Sequence, residues 1–109
     1  MYNSVTLIGR VGTDMDNKAF ESLNRISRFS FCTWENVDID GETTKKTSWH
    51  NVEAWNGLSD ICRNNIKKGD FCMIQGTIKY NKYVKDNVEI TRTMIVLFSI
   101  KKLAYDKTH

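Results

Sequence analysis

Hydrophobic and polar positions alternate along most of the chain, and the alternation predicts strands. Val5, Thr6, Leu7 and Ile8 open a first strand that ends in the glycine-punctuated Gly9-Arg10-Val11-Gly12. Residues 14–24 are polar and read as a loop. In residues 28–34, Phe29 and Phe31 share one face while Ser30, Cys32 and Trp34 share the other. Acidic then basic residues follow around Asp40-Gly41, a hairpin signal, and residues 47–55 form the next strand. The period changes over residues 56–69. There Leu58, Ile61, Cys62 and Ile66 recur at helical spacing, Lys67 and Lys68 fall in the last turn, and Gly69 stands as the C′ glycine of a helix about ten residues long. Residues 70–83 predict a long strand with Gly76 as a bulge, residues 81–87 a polar hairpin tip, and residues 88–103 the last strand.

Three strands, one helix and two strands is the order of an OB-fold. The expected class is therefore all-β: a five-stranded Greek-key barrel with one short helix between the third and fourth strands. A chain of 109 residues accommodates one such domain. No stretch approaches the roughly 20 apolar residues of a membrane-spanning helix. The N-terminus carries no export or transit pattern.

Charge sharpens the picture. The net charge of +3 conceals four basic and seven acidic residues in 1–43, against twelve basic and six acidic in 44–109. A basic half fits a polyanionic partner, because each Lys or Arg placed near a phosphate releases condensed counterion. A solvated Lys-rich surface gives the same composition, so charge alone leaves the choice open.

The aromatic positions are more telling. Trp49, Asn51, Glu53 and Trp55 share one strand face, and a carboxylate on that face argues against core packing. Trp34 sits with Ser30 and Cys32, away from the Phe pair, and Tyr80 and Tyr83 bracket Asn81 and Lys82. Any single tryptophan in a small domain is more often core. Several on polar strand faces, interleaved with Lys45, Lys46, Lys79, Lys82, Lys85 and Arg92, have the composition of a base-stacking platform.

Catalytic chemistry is not indicated. No G-x-S-x-G, Walker A, H-E-x-x-H or G-x-G-x-x-G occurs. Cys32, Cys62 and Cys72 are odd in number, form no C-x-x-C pair and alternate with apolar positions as buried small hydrophobes. Neither His50 nor His109 stands at ligand spacing from a cysteine, and Asp38, Asp40 and Glu42 lack the calcium-loop pattern. No metal, no cofactor and no enzyme activity are expected, and reduced thiols fit a reducing compartment.

Five motifs in register resemble the bacterial and mitochondrial single-stranded DNA-binding proteins. They are Val5-Thr6-Leu7-Ile8-Gly9-Arg10-Val11-Gly12-Thr13-Asp14, Phe29-Ser30-Phe31-Cys32-Thr33, Thr47-Ser48-Trp49-His50-Asn51-Val52, Ile66-Lys67-Lys68-Gly69-Asp70 and Gln75-Gly76-Thr77-Ile78. The likeness runs from about residue 3 to 103. It implies a homotetramer that coats single-stranded DNA without sequence preference and without catalysis, in replication, recombination and repair. It places stacking on Trp34, Trp49, Trp55 and Tyr83, with Trp34 earlier after its strand than is usual in the family. Phosphate contacts are expected from a subset of Arg10, Lys45, Lys46, Lys79, Lys82, Lys85 and Arg92, and His50 is expected at a subunit interface.

The resemblance implies a binding domain over residues 1–105 and a short end over 106–109, without the acidic tail through which bacterial members recruit replication proteins. The expected compartment is the bacterial cytoplasm and nucleoid, or the mitochondrial matrix where a presequence has been removed. Two rivals share the fold. One is a dimeric primosome accessory protein that acts mainly through protein contacts and generally lacks the Trp-His strand. The other is a cold-shock-type RNA-binding module, whose Gly-Phe-rich motifs are missing here.

Overall fold

A computed structural model describes residues 3–19 and 24–104. The short C-terminal end expected over residues 106–109 lies outside the described residues. In chain order the elements are β1 (Val5–Val11), β2 (Asp16–Ala19), β3 (Arg25–Ile39), β4 (Glu42–Trp55), α1 (Gly57–Asn65), β5 (Phe71–Lys85) and β6 (Val88–Lys102). The strand order β1-β5-β6-β4-β3-β2, with a further pairing of β1 to β3, closes five strands into a barrel and leaves β2 on the outer flank of β3. All pairings are antiparallel except β4 with β6, where Val52 stands beside Ile95 and Glu53 beside Val96.

The expected barrel is present, with one addition. Residues 14–24 contain the four-residue strand β2, which pairs Asp16 with Arg28 and Asn17 with Ser27. A short polar segment that borrows the backbone of a neighbouring strand has no hydrophobic alternation to reveal it. Because β2 adds a strand ahead of it, the helix falls between β4 and β5 in chain order.

Both hairpins are longer and tighter than the polar composition indicates. β3 runs to Ile39 and β4 starts at Glu42, so the turn is Asp40-Gly41 alone, with φ of 50° and 82°. The stretch expected as a hairpin tip over 81–87 is strand as far as Lys85 and from Val88, and the turn is Asp86-Asn87 with φ of 53° and 64°. Two successive positive φ values give a turn whose twist matches that of the flanking strands. The arms beyond the barrel are solvated on both faces, so they lack the apolar period of a half-buried strand.

The interior holds Phe29, Phe31, Val52, Ala54, Ile74 and Leu97, all 5% exposed or less. Cys62 and Ile66 from α1 and the residue after it plug one end. The helix has nine residues, close to the expected length, but ends earlier than its sequence pattern: Asn65 is its last residue, Ile66 is already extended, and Ile61 is 46% exposed. Gly69 therefore closes a separate turn rather than capping the helix. It has φ of 93° and donates to the Val11 carbonyl, while Asp70 N donates to Lys67 O. Lys67 and Lys68 belong to that turn, and Arg63 is the basic residue of the last helical turn. Arg25 from β3 and Arg63 within α1 both bind Asp60, and the Arg25 contact ties α1 to β3. The Arg25 contact holds the Asp60 carboxyl below its ordinary range and raises Arg25 above its own.

Gly76 marks a register shift between Gln75 and Gly76, as its position in the strand pattern predicts. Cys62 and Cys72 are buried as expected, and burial pushes both thiols up to about 11, so they stay protonated at neutral pH. Cys32 departs from expectation: it is only half-buried, because it lies on the outer face of β3 opposite Trp49.

Candidate nucleic-acid interface

Strand register decides which candidate residues meet. On the β3–β4 ribbon, Trp34 pairs with Thr47, Cys32 with Trp49, Ser30 with Asn51, Arg28 with Glu53 and Ile26 with Trp55. Directly opposed residues point to the same side, so Trp34, Trp49 and Trp55 share the outer face. On the β5–β6 ribbon, Tyr83 pairs with Ile90, Asn81 with Arg92 and Lys79 with Met94. The parallel step from Glu53 to Val96 carries that same outer face across to β6.

The two ribbons enclose a groove of about 390 Å³ lined by Trp49, Asn51, Tyr83, Ile90 and Arg92 of the outer face and completed by His50, Thr91, Thr93 and Ile95 of the other. Trp49 is 63% exposed and Tyr83 41%, so both rings present area to a ligand. A second groove of about 220 Å³ continues from Asn51 and Arg92 to Ser30 and Arg28, with Thr13 and the carboxylates of Asp14 and Asp16 along its far side. Together they form a track with Trp49 and Tyr83 at one end and two arginines along it, while Glu53 and Trp55 share the outer face of β4 without lining either groove.

Two local devices hold the rings. Gly12 lies beneath Trp49, where a Cβ would come within 2.2 Å of the indole, so the ring rests on bare backbone. Trp55 donates its indole N–H to Glu53, which also accepts from Arg28 Nε at 2.9 Å. Glu53 is therefore not the solvated carboxylate that alternation implies. It is only 8% exposed, which is tolerable because both its oxygens are engaged.

The remaining candidates separate by face. Lys79, Lys85 and Arg92 alternate in step with Tyr83 and lie on the outer face. Lys45 also lies there, its ammonium 4.8 Å from the centre of the half-buried Trp34 ring, so a base reaching that ring face displaces a cation–π contact. Lys82 is on the reverse of its ribbon with Glu89, 3.8 Å away. Lys46 is on the reverse of β4 opposite Glu35. Arg10 turns toward the end of the barrel, donating to the Gly69 carbonyl at 2.8 Å and lying 5.7 Å from the Phe71 ring centre.

His50 opposes Phe31 and meets the Thr33 hydroxyl at 3.0 Å, and partial burial lowers its pKa. Arg28, Asn51, Glu53 and Gly12 join the site although sequence reasoning did not select them. The opposite charges of Arg28 and Glu53, facing each other in register, were the signal available. Among the described residues no cluster of His, Cys, Asp or Glu is arranged to hold a metal ion, and no helix is long and apolar enough to cross a membrane.

A closed five-strand barrel with an aromatic and cationic face along its ribbons is an OB-fold of the nucleic-acid-binding kind. The model of the single-strand binding protein family matches residues 2–103, and the chain belongs to that family. It is 33% identical over 107 residues to the mitochondrial single-stranded DNA-binding protein of Danio rerio, covering 90% of this chain and 73% of the relative. It is 34% identical over 103 residues to the single-stranded DNA-binding protein of Xylella fastidiosa, covering 93% and 63%. A solved structure of Plasmodium falciparum SSB in complex with ssDNA superimposes with a TM-score of 0.87 at 26% identity, covering 95% of this chain and 96% of that one.

Proposed function

We propose that this protein binds single-stranded DNA without sequence preference and coats exposed strands during replication, recombination and repair. The observation that carries this reading is the groove lined by Trp49, Tyr83 and Arg92, continuous with the one that reaches Arg28. Stacking is sequence-tolerant because every base has a π-face, and a strand laid along this track meets rings and cations in turn. Trp34, Trp49, Trp55 and Tyr83 take bases. Arg92, Arg28, Lys79, Lys85 and Lys45 take phosphates from the same face, while Arg10, Lys46 and Lys82 reach only a strand that wraps around the barrel.

The reading includes a homotetramer, with His50 near a subunit contact, and binding without catalysis. The bacterial and mitochondrial relatives support either a bacterial cytoplasm and nucleoid or a mitochondrial matrix as the compartment.

The test is a competition experiment. Fluorescein-labelled oligo-dT is bound by the protein and challenged with unlabelled dT, rU and duplex of equal length, with the mass of the complex measured in parallel. The expected result is displacement by dT well before duplex, on a complex of four chains. Equal displacement by duplex contradicts single-strand selectivity, and a two-chain complex favours the accessory-protein rival.

A further inference from the structure

Glu53 poses an electrostatic problem. It lies in the middle of the face assigned to a polyanion, where a carboxylate repels phosphate, and it is 8% exposed, where a lone charge is costly. The geometry resolves both difficulties. One oxygen accepts from Arg28 Nε at 2.9 Å and the other from the Trp55 indole N–H.

The three residues come from different settings. Arg28 and Glu53 are directly opposed on β3 and β4. Trp55 is the last residue of β4, and Asn56 after it has φ of 50°, so the chain turns away just beyond the ring. An indole at a strand end, 38% exposed, has one edge free of packing, and its hydrogen bond to Glu53 fixes the ring from the polar side. Arg28 is 42% exposed in its side chain and lines the groove shared with Ser30, Asn51 and Arg92. Asp14 and Asp16 also stand there, and Asp16 opposes Arg28 on β2, but the hydrogen bond to Glu53 is the contact that orients Arg28.

We propose that Glu53 is a positioning residue: its carboxylate holds the Trp55 indole and the Arg28 guanidinium as one pre-formed unit for a base and a neighbouring phosphate. The proposal rests on the reading of Trp55 as a stacking residue. Preorganisation lowers the ordering cost that a mobile ring and a mobile arginine incur on binding. The bond through Nε fixes the plane of the guanidinium and leaves its outer nitrogens for a phosphate.

A purely electrostatic role predicts the opposite sign. If Glu53 only neutralises Arg28, removing it frees one cation, tightens binding, and steepens the dependence of log affinity on log salt by about 0.7, the single-strand value for one further phosphate contact.

The experiment compares Glu53→Leu, Glu53→Gln and Trp55→Ala for affinity to oligo-dT across a salt series, each checked for folding by thermal melt. The Gln variant keeps one acceptor oxygen and the size of the side chain, so it stays informative if Leu disturbs the fold. A background with Trp34→Phe and Trp49→Phe leaves Trp55 as the sole indole, whose fluorescence anisotropy reports ring mobility without DNA. The expected result is a loss of about three- to tenfold for Glu53→Leu at high salt, a smaller loss for Glu53→Gln, and lower Trp55 anisotropy in the free Leu variant. Unchanged or tighter binding of both Glu53 variants, while Trp55→Ala still weakens binding, overturns the positioning role and leaves the stacking reading standing. If Trp55→Ala itself leaves affinity unchanged, the stacking reading fails, and the positioning role fails with it.

Discussion

Alanine at both Trp49 and Trp55 is expected to weaken binding to oligo-dT by roughly 2–6 kcal/mol, from two stacking losses of roughly 1–3 kcal/mol each. The two indoles lie six residues apart on one strand, roughly 20 Å at the rise of an extended chain, so their losses should add. Stability should change little at Trp49, because the ring is 63% exposed and rests on the backbone of Gly12 instead of filling the barrel. Trp55→Ala removes one donor to Glu53 but leaves the Arg28 contact in place. Equilibrium titration by anisotropy, with urea melts of the same preparations, checks both halves. Full affinity in a folded double variant contradicts the stacking assignment.

Gly9→Ala is expected to cost more stability than any exposed substitution, about 2–3 kcal/mol or more, because nothing near it can yield cheaply. Gly9 sits where β1 crosses from β5 to β3 and closes the barrel, next to the pairs Arg10–Cys32 and Val11–Phe31. A Cβ there would stand 2.0 Å from the Cys32 carbonyl oxygen and 3.2 Å from the Phe31 ring. The nearer obstacle is backbone, so β1 must lift away from β3 and open the core around Phe31. The midpoint of thermal unfolding should drop by about 10 °C or more. Gly57→Ala is the matched control, since no atom lies within 4 Å of the Cβ position there. A melt of Gly9→Ala that coincides with the control contradicts this account of closure.

The parts legible in the sequence are those in which one face of an element is buried. Phe29 and Phe31 alternating against Ser30 and Cys32, and Val52 and Ala54 against Trp49 and Glu53, give β3 and β4 their inner faces. The change of period after Trp55 gives α1. Where burial ceases the signal ceases too: the outer arms of both hairpins and the polar β2 depend on backbone pairing, which leaves no apolar period behind. The helix end was misplaced because Gly69 looks like a cap in sequence, while in space its N–H is spent on Val11.

The site divides in the same way. The aromatic residues were visible because they stand where alternation demands polar ones. The sorting of cations is not visible in the residue pattern, since Lys46 and Lys82 fall in stretches that read as polar hairpin, and alternation assigns them a face only once those stretches are strand. Glu53 stands on the tryptophan face as alternation predicts, and its burial follows from Arg28, which the Asp40-Gly41 turn sets opposite it across the β3–β4 hairpin.

The most direct test of the central claim is intrinsic tryptophan fluorescence during titration with oligo-dT, repeated at high salt. Rings that stack on bases should be strongly quenched at saturation, and much of that quenching should survive salt that strips counterion-driven contacts. Binding that is detected by anisotropy of labelled DNA but leaves the tryptophan emission unchanged would mean that the indoles do not meet the bases, and the account of this face would be wrong.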